Sequence, residues 1–236
     1  METYDPFMTP YAFYWVLFIF ITILSYSVQA NLDRKFKKYS QIPTRDGSTG
    51  HEVAQRMLAD HGLTDVRITC VEGQLSDHYN PETNTVNLSK DVYYGRTLMA
   101  AAVAAHECGH AVQHAKKYAP VQMRSALVPV VQFSSQIVTF VLLMGILVVE
   151  TFPGLMIAGI VLFALTTLFS FVTLPVEVDA SSRALAWLKH TSRNDSQTMT
   201  AAQDALKAAA YTYVVAAVSS LGTLVYYIMI FLSRRR

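Results

Sequence analysis

The chain of 236 residues is 52% hydrophobic but only 15% charged, with a formal net charge of +2. A soluble domain carries about 25% charged residues, so the shortfall points to lipid, and the near-neutral balance does not support a nucleic-acid footprint. The two cysteines, Cys70 and Cys108, make no disulfide framework and fit a reducing compartment.

Four charge-free stretches reach the roughly 18–20 residues needed to cross a bilayer. They are Tyr11–Ala30, Ala126–Val149, Gly154–Pro175 and Tyr211–Leu232. Glu2 and Asp5 precede the first one, where a cleaved leader would carry a basic segment, so it reads as a permanent anchor. Arg34, Lys35, Lys37 and Lys38 follow that anchor, and Lys116, Lys117 and Arg124 precede the second span. The hairpin at Val149–Gly154 carries only Glu150. Basic residues mark the inner side, which places both polar segments inside and the termini outside; Arg234–Arg236 run against that assignment.

Between the spans, Asp33–Ser48 reads as a basic connector without periodicity, and Gly50–His61 as a helix through Val53, Met57 and Leu58, closed by Gly62. Val66–Val71 and Thr85–Leu88 read as two short strands around the turn-prone Asn80–Asn84, giving a small sheet. An alanine-rich helix is expected over Tyr93–Tyr118, another over Val176–His190, and a third from about Thr198 into the last span. The expected protein is thus mainly α, with four transmembrane helices. Residues 1–30 form the anchor, 31–125 a soluble-side protease domain with its active helix at 93–118, and 126–175 a helical hairpin in the membrane. Residues 176–210 bring soluble-side helices, and 211–236 the last span with a basic tail.

The chemistry sits in His106-Glu107-Cys108-Gly109-His110. Histidines four apart on a helix project from one face, one turn apart, and can share one tetrahedral zinc ion. Glu107, beside the first of them, is placed to take a proton from the attacking water and pass it to the leaving amine. Gly109 leaves room for a neighbouring element. Cys108 points off the ligand face and reads as packing. His114 continues the series but lies about 80° round the helix from His106, so it reads as a surface histidine.

A hydrolytic zinc site needs a third protein ligand and an open position. Downstream acids are Glu150, Glu177, Asp179, Asp195 and Asp204. Glu150 lies across roughly 30 Å of hydrocarbon, Asp195 reads as a loop or cap and Asp204 as a solvated helix face. Glu177 and Asp179 remain, where the third span returns to the motif's side, and a charge so near lipid needs a partner. Glu177 is therefore the expected ligand and Asp179 a supporting residue. The alternative is a pair of acids favoured by a helix N-terminus.

Ala104–Ala111 and Leu174–Ser181 together resemble the YugP-like family of neutral zinc membrane metallopeptidases. Leu75–Tyr79, Leu88–Tyr93 and Leu127–Val131 carry the likeness further, and it spans most of the chain from about Gly50. The resemblance implies a gluzincin-like protease holding one zinc ion, with a His-Glu-x-x-His helix and a glutamate ligand from a later helix. Membrane proteases of that kind usually carry an aspartate four residues after the glutamate. Here that position is Ser181, and the aspartate stands at 179.

Arg183 is a candidate for stabilising the transition state or for pairing with Asp179; His78 and Tyr79 are candidates for the hydrogen bond to the developing oxyanion, or simply a surface turn. The expected function is a zinc endopeptidase in a bacterial inner membrane, active on the cytoplasmic side against polypeptides, with lipid as its surroundings and no nucleic acid. The extended substrate is expected beside Thr85–Leu88. The rival readings are an intramembrane protease, with 97–113 itself crossing lipid, and a non-catalytic scaffold stabilised by zinc.

Overall fold

The computed structural model describes residues 10–191 and 196–234, with side chains from residue 15 onward, so the expectations at Glu2, Asp5, Asp195, Arg235 and Arg236 lie outside the described residues. It divides into two compact units. Of the described residues, one holds 10–28, 123–174 and 212–234, and the other 29–122, 175–191 and 196–211.

Helix α1 spans Pro10–Tyr39. The basic stretch expected to be an irregular connector is thus helical as far as Tyr39. The reason lies in the second unit, where Phe36 and Tyr39 pack with Leu98, Met99, Ala201 and Ala205, and Lys35 pairs with Asp204. Tyr39 also donates to Asp204 (2.7 Å), which is therefore a partnered acid rather than a free solvated one.

Helix α2, Gly50–Asp60, opens on a capping box in which Thr49 Oγ1 accepts from the Glu52 amide (3.1 Å) and Glu52 accepts from the Thr49 amide (2.7 Å). It ends as expected at Gly62, whose φ of +72° is the left-handed turn that glycine tolerates best.

The sheet has three strands, one more than expected: β1 (Arg67–Val71), β2 (His78–Asn80) and β3 (Thr85–Ser89). β3 lies in the centre, parallel to β1 from Arg67↔Thr85 to Val71↔Ser89 and antiparallel to β2 through His78↔Asn87 and Asn80↔Thr85. Its buried Val86 and Leu88 supply the sheet's apolar face. Both edges of β3 are paired, so a substrate cannot add there. The edge strand beside Glu107 is β2.

The expected 93–118 helix begins later. A single turn, α3 (Lys90–Tyr93), precedes α4 (Leu98–Ala115), whose N-cap Thr97 accepts from the Ala100 amide at 3.2 Å. The alanine face of α4 packs on Val53, Ala54 and Met57 of α2 and on Val86 and Leu88.

Three long helices complete the chain: α5 (Ala119–Leu147), α6 (Pro153–Thr191) and α7 (Ser196–Ser233). α6 joins what the sequence divides into a span and a separate helix, with Pro175 inside it. Proline lacks an amide hydrogen, so only the bond to the Phe171 carbonyl is forfeited there. α7 is continuous, as the periodicity predicts. Its residues Ala202 and Leu206, with Ala184, Trp187 and Leu188 of α6, close the core around α4.

In the other unit, Val138, Leu142, Val149 and Met156 form a separate cluster, and Gly145 and Gly159 bring α5 and α6 close: a Cβ would stand 2.8 Å from Met156 and 2.7 Å from Leu142. Phe133, Phe140 and Leu147 remain exposed, as lipid-facing residues are. Among the described residues, four helices are long and apolar enough to cross a membrane: Trp15–Tyr39, Ala119–Leu147, Pro153–Thr191 and Ser196–Ser233. α4 is not one of them. The protein is a mainly α membrane protein with a small sheet.

Candidate metal centre

The α4 periodicity turns His106 and His110 to one side, with ring centroids 4.8 Å apart. On the facing segment of α6, Glu177 is 4% exposed, and its Oε2 lies 3.3 Å from His106 Nε2 and 3.5 Å from His110 Nε2. Charge-assisted N–H···O bonds run about 2.7–2.9 Å, so these contacts are long for direct pairing. A tetrahedral zinc with ligands about 2.0–2.1 Å away separates them from one another by about 3.3–3.4 Å. The two histidine–glutamate separations thus match two edges of such a tetrahedron. All three lie within 4.8 Å of one another, and no other group of three or more appears among the described residues. A closed structural site would call for a fourth protein donor. His2Glu with an open fourth position suits hydrolytic zinc.

Close approach of the two helices depends on Gly109. A Cβ there would stand 2.5 Å from the Ala180 carbonyl oxygen. Any larger residue would push α6, and Glu177 with it, away from α4.

The outer nitrogens of the two imidazoles are held differently. His110 Nδ1 lies 3.1 Å from Gln113 Oε1, while Gln113 Nε2 donates to the Val176 carbonyl and to Asp179 Oδ2, both at 2.7 Å. Two acceptors fix which end of the Gln113 amide is NH2, so its oxygen faces the ring and His110 carries its proton on Nδ1. In the neutral ring Nε2, beside Glu177 Oε2, is then the unprotonated nitrogen and the one available to a shared metal ion. Asp179 is in turn bound by Arg183 Nε at 2.6 Å, and Arg183 lies over the Tyr118 ring at 5.7 Å. For His106, Nδ1 meets Ser181 Oγ at 3.1 Å. Burial works against a charged His110, but the bond to Glu177, the Glu107 and Glu177 carboxylates and the bond to Gln113 outweigh it and raise its pKa above the ordinary histidine value.

Glu107 is 8% exposed, and its Oε2 accepts from the Tyr79 amide of β2 at 3.1 Å. The general-base candidate is thus tethered by one oxygen to the edge strand. Tyr79 reaches the site through its main chain only. Its hydroxyl donates to Asn84 (2.9 Å) and its ring lies 5.9 Å from that of His114. His78 is engaged elsewhere, with Nδ1 on the Ser76 carbonyl (2.8 Å) and Nε2 on Asn87 (3.1 Å). Cys108 is fully buried, its thiol donates to the Ala54 carbonyl (3.6 Å), and burial pushes that thiol's pKa up.

Of the sequence candidates, His106, His110, Glu177 and Glu107 come together. Asp179 joins them through Gln113, and Arg183 through Asp179. Gln113 and the Tyr79 amide have no mark in the sequence: one is an uncharged residue inside an alanine-rich helix, the other a backbone group. Ser181 is visible only as the residue standing where aspartate is usual.

The sequence profile of the family described as "Putative neutral zinc metallopeptidase" matches residues 14–232. The "Putative membrane protease YugP" of Bacillus subtilis (strain 168) is 41% identical over 224 residues, covering 93% of this chain and 99% of the relative. No solved structure matches. With a His2Glu donor set on a membrane protein and a likeness that runs nearly end to end, the chain belongs to this neutral zinc metallopeptidase family.

Proposed function

We propose that the protein is a zinc endopeptidase of the bacterial inner membrane that hydrolyses polypeptides on the cytoplasmic side. The carrying observation is the convergence of His106 Nε2, His110 Nε2 and Glu177 Oε2 beside the buried carboxylate of Glu107. In this reading His106, His110 and Glu177 hold one zinc ion. When bound, zinc polarises the scissile carbonyl and acidifies a water molecule. Glu107 takes the proton of the attacking water on its carboxylate and delivers it to the leaving amine, with the Tyr79 amide keeping that carboxylate in place. The substrate lies extended beside β2, the edge strand next to Glu107. The bases flanking the first two spans, set against the acid-only hairpin at Glu150, support the cytoplasmic side, with Arg234–Arg236 counting against it.

The deciding experiment is metal analysis and casein hydrolysis by wild type and Glu107→Gln. We expect both proteins to retain zinc and the variant to lose about 10²–10⁴-fold in rate, the contribution of a general base. Equal rates would remove Glu107 as the base, and a wild type without zinc would overturn the whole reading.

A further inference from the structure

A groove of about 760 Å³ opens at the N-terminal end of α4, away from the metal centre. Phe36 and Lys37 of α1, Leu75 of the β1–β2 loop, Lys90, Tyr94 and Met99 are among its walls. Leu75 and Tyr94 are each 65% exposed, and Leu75 holds a φ of +56°, in the left-handed region that bulky residues avoid. A left-handed residue that also presents its apolar side chain to an open groove marks the position as a candidate for function.

Two elements run from the metal centre into this groove. From Tyr79, whose amide holds Glu107, the chain passes back through His78 to Asp77, which accepts from the Ser89 amide at 2.7 Å. Ser89 and Leu75 both line the groove. Along α4, Met99 precedes His106 by seven residues, about 10 Å of helix. An extended peptide covers that distance in about three to four residues.

We propose that the groove is a specificity site for a bulky apolar side chain of the polypeptide substrate, about three to four residues from the bond presented to the metal centre. The inference rests on the endopeptidase reading above. The rim carries Asp33 and Asp91 as well as Lys37 and Lys90, so charge does not select an anionic lipid headgroup; the exposed apolar side chains do the selecting. Phe36 stands six residues beyond the end of the first apolar run, about 9 Å along α1. The substrates that fit are therefore membrane polypeptides whose apolar residues continue just past a span.

The test uses the full-length protein in nanodiscs and one extended peptide sequence along which a single leucine is walked. Cleavage by wild type is mapped by mass spectrometry, and binding to Glu107→Gln is followed by fluorescence anisotropy. The cut bond is expected to move with the leucine at a constant offset, and the leucine to tighten binding about tenfold over serine. Leu75→Gly and Tyr94→Ala should each bring that ratio toward one, while Leu75→Gly raises Tm because glycine relieves the strained φ. A cut position indifferent to the leucine, or a preference that survives both variants, overturns the groove and leaves the endopeptidase standing. Binding that keeps the leucine preference while wild type cuts nothing overturns the endopeptidase and leaves the groove. Neither binding nor cutting would overturn both.

Discussion

His106 and His110 stand one turn apart on the same helix and face the same carboxylate, yet their outer nitrogens are supported unequally. His110 Nδ1 is held by Gln113, fully buried and anchored by the Val176 carbonyl and by the Asp179–Arg183 ion pair. His106 Nδ1 meets the hydroxyl of Ser181, 9% exposed. A hydroxyl donates or accepts with equal ease, so Ser181 orients the ring without fixing its tautomer, whereas Gln113 fixes both. Equal spacing in the motif therefore does not mean equal preorganisation. On the proposed assignment, His110 arrives ready for metal and His106 takes its tautomer from the metal it binds.

The largest effect is expected where this difference vanishes. Glu177 serves both rings, so Glu177→Ala should lower zinc affinity by more than the roughly 100-fold that loss of an outer partner can cost. Competition with a chelator of known affinity measures it, and full zinc occupancy in the variant would exclude Glu177 as a ligand. Gln113→Ala comes next. It strips partners from His110 Nδ1, from the Val176 carbonyl and from one bond of Asp179, and should weaken zinc binding about 10–100-fold. Gln113→Glu keeps an acceptor for the ring but sets a second carboxylate against Asp179, so it should fail to restore affinity. Wild-type affinity in Gln113→Glu would mean that the ring contact alone matters and the anchoring of the amide does not.

The same contrast governs what was legible in the sequence. The motif helix was legible because the four-residue spacing and an alanine-rich setting are local signals. The placement of Glu177 beside the two histidines was legible by elimination, since so few acids lie downstream, and the four apolar runs by length alone. What escaped depends on residues far apart in the chain. Gln113 finds its partners 63 and 66 residues away. The helical end of α1 is set by contacts of Phe36 and Tyr39 with α4 and α7, and two apolar residues are too few to make a period. β2 has three residues and no alternation to read. Pro175 marks a helix end by local rules, yet α6 runs through it to Thr191 and carries Glu177, Ser181 and Ala184 to the face of α4.

The smallest effect is expected at Ser181, where the comparison can be sharpened. Ser181→Ala removes one neutral hydrogen bond, worth about 0.5–1.5 kcal/mol and hence about 2–10-fold in zinc affinity. A single contact is lost here, whereas Gln113→Ala strips partners from three groups, which keeps the effect below that at Gln113. Ser181→Asp tests the tautomer directly. A carboxylate only accepts, so it forces the proton of His106 onto Nδ1 and leaves Nε2 free, as Gln113 does for His110. Ser181→Asp should therefore bind zinc at least as tightly as wild type, in the same chelator competition in which Ser181→Ala is weaker. If the alanine variant instead loses as much as Gln113→Ala, the two histidines are equally dependent on their outer partners and the asymmetry has no energetic weight.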